Sequence, residues 1–339
     1  VQLSSEFKRP WGFIEPSFRA LTKRYKIDTP ESTQVERETV SAVQTAIASG
    51  LIFDRPLSLW GKNFYQTLEP RVLYLYSHET DTDLIPSFDS VELSNGINQI
   101  FRKTRFSGFD RLGNSHQISS IVKTSMISAR RGKEIFSASI GKVFYLQEYK
   151  KISREPLKQD ETSKKSPLVF SASVSGERFD VIGDYELSTA ENQSNRGFLG
   201  IRYSPSDSSS FNINYAMNSD NPHRDKDNYE SEEIDLAFAV KLREDLKILG
   251  RWNYGLSSKQ TLDSLIGFEL DDCCWSAKLV LRRYREKLRE NFFIDRESPE
   301  NFFQQRQETG IYFEFELKGL ASIGRRIDSL LDYSLQGIK

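Results

Sequence analysis

Cysteine is scarce in this 339-residue chain: there are two, Cys273 and Cys274, and they are neighbours. So few exclude a small disulfide-stapled scaffold and a cysteine-built zinc module. Histidine is almost as rare, and His78, His116 and His223 fall in or near expected long loops, with no ligand-like spacing to the cysteines. No G-x-S-x-G, P-loop or G-x-G-x-x-G stretch occurs, so no catalysis, cofactor or metal site is read. Carboxylates abound, but sequence spacing nominates no acid–base pair among them. An excess of one charge is also missing, 47 Lys+Arg against 48 Asp+Glu, which argues against a general polyanion binder. No apolar run approaches the roughly 18 residues of a membrane helix. That absence leaves a transmembrane β-barrel open, because such a barrel carries its apolar surface on alternate residues. The first residue is Val1 rather than methionine, and no secretory leader is read. The chain is therefore expected to be a processed or partial piece of a longer protein.

Aromatic residues are plentiful, 23 Phe and 14 Tyr against 2 Met, and they suit extended, half-buried structure. Their spacing is the main signal. Phe211, Ile213, Tyr215 and Met217 alternate with Asn212, Asn214 and Ala216. Ile234, Leu236, Phe238, Val240 and Leu242 alternate with Asp235, Ala237, Ala239 and Lys241. Ile311, Phe313, Phe315 and Leu317 oppose Tyr312, Glu314, Glu316 and Lys318. Period two, repeated this often, predicts an all-β chain. Turn signals divide it into about fourteen strands, most of roughly 9–16 residues and longer than the usual 5–6. Among them, Glu38–Leu57 reads as one strand and Glu308–Leu317 as the last. The best helical candidate, Gly324–Leu331, is weak.

Connections between these strands sort by length. Arg130–Lys133, Gly176–Glu177, Pro205–Ser208, Arg243–Asp245 and Asp271–Cys273 are short. Interleaved with them, Asp28–Arg37, His78–Asn114, Glu148–Lys165, Ser219–Glu230 and Arg285–Gln307 are long or variable. Short turns at one end and long loops at the other predict an antiparallel transmembrane β-barrel of outer-membrane type, with the short turns periplasmic. The barrel portion is expected to run over residues 1–317, and residues 318–339 to form a periplasmic tail. Two rival classes are a passive porin or solute channel, and a soluble β-sheet protein that binds a partner or glycan. A receptor with a plug domain is not indicated.

The hairpin Leu262–Tyr284 holds the cysteines. Ile266, Phe268 and Leu270 share one face with Trp275, Ala277, Leu279 and Leu281, while Lys278 and Arg282 point the other way. Neighbouring Cα atoms lie about 3.8 Å apart, whereas a relaxed disulfide spans about 4.4–6.8 Å. A bridge between Cys273 and Cys274 would be strained. Two readings stay open: a pair of packed free thiols, or bridges to something outside these residues. The loop parity favours an oxidising, periplasmic setting. Arg282–Arg283 and Arg325–Arg326 are candidate phosphate contacts, against the commoner reading of simply solvated arginines. Phe106–Asn114 could fold back into a lumen or remain a surface loop.

Three motifs then carry a resemblance. Gln66–Tyr76 (QTLEPRVLYLY), Phe106–Asn114 (FSGFDRLGN) and Asp272–Trp275 (DCCW), with the closing Tyr312–Ile323, resemble the LPS-assembly protein LptD (organic solvent tolerance protein) family in order and over most of the chain. The resemblance implies an outer-membrane barrel that receives lipopolysaccharide from periplasmic bridge proteins and releases it into the outer leaflet between its first and last strands. It implies a lipoprotein, LptE, plugging the lumen, and a barrel-assembly machine during folding. It also implies that Cys273 and Cys274 pair with two cysteines of an N-terminal region outside this chain. Under it, Tyr312, Glu314 and Glu316 would line the lateral seam and lumen. About fourteen strands is close to half of the family's barrel, so the rest of the wall, or another barrel's edge, is expected to cover these strands.

Overall fold

A computed structural model describes residues 1–27, 36–79, 96–104, 106–108, 112–147, 149–150, 162–163, 166–187, 196–218, 231–286, 306–318 and 321–324. They form twenty strands and, among the described residues, no helix. No helix there is long and apolar enough to cross a membrane, which says nothing about crossing by strands. The chain divides into two compact units, Val1–Val174 with Asp184–Asn195, and Ser175–Gly183 with Arg196–Lys339.

The first unit contains β1 (Gln2–Ser4), β2 (Phe7–Arg9), β3 (Gly12–Ile27), β4 (Glu36–Leu51), β5 (Phe53–Leu59), β6 (Lys62–Glu79), β7 (Ser115–Ser128), β8 (Glu134–Tyr145), β9 (Tyr149–Lys150), β10 (Thr162–Ser163) and β11 (Leu168–Ser175). Its main ladder is an antiparallel meander running β3–β4–β6–β7–β8–β11. The stretch expected as one strand over Glu38–Leu57 is two, interrupted at Ile52, although both pieces pair with β6 in one continuous register. There β4 leaves off and β5 turns back onto β6 through Trp60–Gly61. Both turn residues have positive φ, 49° and 72°. That geometry matches the right-handed twist of a two-residue hairpin.

After β12 (Phe179–Leu187), which straddles the division, the second unit contains β13 (Arg196–Ser206), β14 (Ser209–Asn218), β15 (Ser231–Arg243), β16 (Leu246–Gly255), β17 (Gln260–Asp271), β18 (Trp275–Glu286), β19 (Arg306–Leu317) and β20 (Ala321–Gly324). Every neighbour from β13 to β20 pairs antiparallel with the next. The all-β antiparallel class expected from period two is therefore what the chain adopts. The turns at 207–208, 244–245 and 272–274 are short, as expected. At the other end the 256–259 turn is short too, so that end is not uniformly long. Most of the long connections, and residues 325–339 with Arg325–Arg326 and all but the first residue of the weak helical stretch, lie outside the described residues.

The two faces of these strands have opposite chemistry, and the burial is inverted relative to a water-soluble sheet. On β18, Leu279 and Leu281 are 48% and 46% exposed while Val280 between them is fully buried. The exposed face carries Ile266, Phe268, Leu270, Leu279, Leu281, Ile311 and Phe313. The opposite face buries Asp263, Ser276 and Glu314 together with short apolar side chains. β4 repeats the pattern, with Val43, Ile47 and Leu51 exposed and Gln44, Ala46 and Ala48 buried. A contiguous apolar surface of this size belongs against lipid or a partner, not water.

Candidate functional site

Polar residues of the second unit stack in register on one face. Asp235 and Asn253 face each other across β15–β16, and Asn253 faces Asp263 across β16–β17. Arg251, one step along, donates from Nε and Nη2 to Asp235, the shortest contact being 2.7 Å, and from Nη1 to Asp263 at 3.4 Å. Arg282 donates from Nε and Nη2 to the two oxygens of Asp263 at 3.0 and 2.7 Å. Asp263 is thus a shared counterion between two guanidinium groups, a forked geometry that arginine makes and lysine cannot. Toward the short turns the face continues with Lys247 and Glu269, 4.0 Å apart, then Lys278 opposite Glu314 in register. Between the two charged tiers lies a small apolar cluster of Ala239, Leu249, Leu265 and Val280, against which Tyr312 packs.

The three seam candidates are all on this face of β19, as alternation requires. Tyr312 covers the apolar cluster, Glu314 is 7% exposed, and Glu316 is exposed. β19 is paired to β18 along its whole length. On its other edge, β20 pairs with Glu314–Leu317. Residues 321–324, just after β19, fold back on it as an antiparallel hairpin.

The cysteine turn is tied to the same place. Cys273 and Cys274 are exposed and free, with their sulfurs 2.7 Å apart. Asp272 accepts from the Cys273 amide at 2.8 Å, and the Lys318 amide donates to the Cys274 carbonyl at 3.0 Å. The Lys318 ammonium bridges to Asp271 at 2.6 Å, which raises its pKa above the ordinary lysine value. Trp275 stacks on Phe315, centroids 6.1 Å apart. The Cys273 thiol is held above its ordinary pKa, first by its hydrogen bond with Cys274, then by desolvation and the Asp272 charge. Both cysteines are exposed.

In the first unit, part of the long connection 80–114 lies on the polar face. Ile100 is buried with Val143 and Val169, and Phe101 packs on Ala46, Ala48, Leu73 and Leu75. Gly141 makes room: a Cβ there would stand 2.4 Å from Ile100 Cδ1. Lys103 pairs with Glu15 at 2.7 Å, and Gln44 Nε2 donates to the Lys103 carbonyl. The amides of Leu112 and Gly113 both donate to Glu79. Of the two readings open for Phe106–Asn114, the described residues follow the infolded one, with Phe106 and Leu112 buried. Sequence reasoning named this loop but not its anchors, Glu79 and Gly141, whose roles depend on register.

The sequence pair Arg282–Arg283 does not act as a pair, because adjacent strand residues face opposite ways. Arg282 joins the polar ladder and Arg283 lies with Arg285 on the apolar face. His116 packs edge-on against Tyr74 and Tyr76, and His78 is exposed; His223 lies outside the described residues. Among the described residues no three His, Cys, Asp or Glu side chains gather as metal ligands.

Comparison with known proteins adds a family. A family model described as "LptD: LPS transport system D" matches residues 1–252. The LPS-assembly protein LptD of Nitrosococcus oceani is 28% identical over 338 residues, covering 99% of this chain and 42% of that protein. That of Saccharophagus degradans is 29% identical, covering 96% and 39%. The chain thus spans about two fifths of the length of these relatives. Among solved structures, the copper transporter OprC aligns with 94% of this chain and 57% of its own at a TM-score of 0.41 and 9% identity. OccAB4 of Acinetobacter baumannii aligns with 93% of this chain and 95% of its own at 0.32 and 11%. Neither score carries an argument about function.

Proposed function

The chain belongs to the LptD family of LPS transport proteins, and from that membership we propose that it is the closing part of an outer-membrane β-barrel that passes lipopolysaccharide from the periplasm to the outer leaflet. The apolar face would meet lipid and the polar face would line a hydrated lumen. The observation that carries the reading is the inverted burial along β15–β19, with apolar residues outward and an ion-paired ladder inward, in a chain whose relatives are LPS-assembly proteins. A passive porin would share the wall, but no finding favours it over the family's role.

In this mechanism the sugars and phosphates cross the hydrated face, while the acyl chains leave sideways at the edge of β19 that faces away from β18. Tyr312, Glu314 and Glu316 would line that exit. A strand from the remainder of the protein would pair with β19 over residues 306–313 and would compete with β20 nearer the turn. Residues 1–317 would form barrel wall and the tail would reach the periplasm. Cys273 and Cys274, exposed beside the root of β19, would bridge to cysteines of the N-terminal region, with LptE filling the lumen and a barrel-assembly machine guiding closure.

The test is a photo-crosslinking residue at Glu314 of the full-length protein in cells. The expected result is a lipopolysaccharide adduct that disappears when upstream delivery is shut off. No adduct there or at Tyr312, in protein shown to be folded, would move the reading to a porin.

A further inference from the structure

A shallow cavity of about 420 Å³ opens on the second unit, lined by Trp252, Gln260, Thr261, Ser264, Arg283, Arg285 and Gln307. Two cations line it and none of the lining residues is acidic. Arg283 is exposed and donates to Gln307 Oε1 at 2.7 Å, leaving further guanidinium donors for a ligand. Arg285 Nε is buried and, among the described residues, has no hydrogen-bond partner. A guanidinium N–H removed from water and unpaired is costly unless a ligand satisfies it.

The cavity is on the apolar face. Leu281, directly before Arg283 on that face, pairs in register with Ile266 and Ile311, all exposed. From Trp275 at the short turn to Arg285 is ten residues, about 34 Å along a strand and about 26 Å along the normal at a tilt near 40°. An outward apolar band is about 25 Å tall with aromatic residues at its borders. Trp275 and Trp252 fit those borders, so the arginines stand at head-group height on the side away from the short turns.

We infer that this cavity binds the phosphorylated sugar head of a glycolipid in the outer leaflet, with its acyl chains lying down the band formed by Leu279, Leu281, Ile311 and Phe313. Guanidinium forks match phosphate oxygens. Thr261, Ser264, Gln260 and Gln307 offer neutral partners for sugar hydroxyls, and the Trp252 ring offers a face for a sugar. A simple phospholipid would use the arginines and leave that neutral rim idle. The inference rests on the outer-membrane reading above. It assigns the outside of the wall, beside the proposed exit, to holding lipid that has already emerged.

The test places a photo-crosslinking residue at Ser264 of the full-length protein, reconstituted with purified lipopolysaccharide or with phosphatidylglycerol. A lipopolysaccharide adduct is expected, falling about tenfold in R283Q/R285Q, the loss of one or two charge-assisted hydrogen bonds, with partial rescue in R283K/R285K. An equal phosphatidylglycerol adduct, an adduct indifferent to the arginines, or none at all would overturn the site. Should the double variant misfold by heat-modifiable mobility, the unsubstituted arginine background decides through the two-lipid comparison. The Glu314 crosslink separates the readings: if it persists while Ser264 is silent, the site fails alone; if both are silent, the transport reading fails.

Discussion

Asp263→Asn is the substitution whose consequence the structure specifies best. Its carboxylate is shared by Arg251 and Arg282, and the three side chains are only 12%, 13% and 21% exposed. Arg251 keeps its forked contact with Asp235. Arg282 keeps the Tyr284 ring, 4.7 Å from its carbon, but loses the carboxylate to which it donates twice. Removing one partner of a fully buried pair costs about 3–5 kcal/mol. This face is proposed to be wet, which roughly halves the figure, so we expect about 2 kcal/mol, near thirtyfold in the folding equilibrium.

The assay is denaturant unfolding of the full-length protein in micelles, followed by heat-modifiable mobility. Arg282→Gln should cost less, about 1 kcal/mol, because Asp263 retains Arg251. In the double variant D263N/R282Q the unpaired charge is gone, and the coupling should appear as recovery of about 1 kcal/mol relative to additivity. A D263N protein within about 0.5 kcal/mol of the parent, with no coupling to Arg282, would refute the view that this ladder holds the wall.

Three further outcomes follow from particular contacts. Glu79→Ala removes the acceptor for the Leu112 and Gly113 amides; proteases should then nick residues 80–114 several-fold faster, and unchanged digestion would count against the infolded loop. Gly141→Val should displace Ile100 and raise permeability to large antibiotics, whereas an unchanged barrier would mean that the segment closes nothing. In reduced protein, the raised Cys273 pKa keeps the thiol protonated as pH rises through the ordinary thiol range, so alkylation should still be climbing there. C274A removes the largest cause and D272N a smaller one, so both should speed alkylation of Cys273 at pH 7.5, C274A more; no change in either would contradict the assigned causes.

Much of this was legible in residue order because period two is a local signal. Ile311 to Leu317 declares its apolar face with no knowledge of a partner, and Tyr312, Glu314 and Glu316 follow on the other side. The short turns declare themselves in the same way. Where the reading stopped, the missing quantity was register or tertiary position. Alternation gives no sign of the interruption at Ile52, since β4 and β5 stay extended and keep one register on β6. The hairpin β19–β20 could not be anticipated because its four residues are too few to show a period.

The same limit explains the arginines. As a dipeptide, Arg282–Arg283 suggests one double cation; on a strand it is two separate functions about 180° apart. Arg282 has Asp263 across the ladder, a contact fixed by the Leu265↔Arg282 and Asp263↔Tyr284 register. Arg283 instead finds Arg285, two residues on, and borrows Gln307 from β19. A single wall can therefore neutralise a cation on its wet face while leaving two at the border of its greasy one without a carboxylate among the described residues. The asymmetry is the physical basis for expecting an anion outside β18 and β19, where exposed Leu281 and Ile311 would hold an acyl chain, and no free cation from Arg282 on the inside.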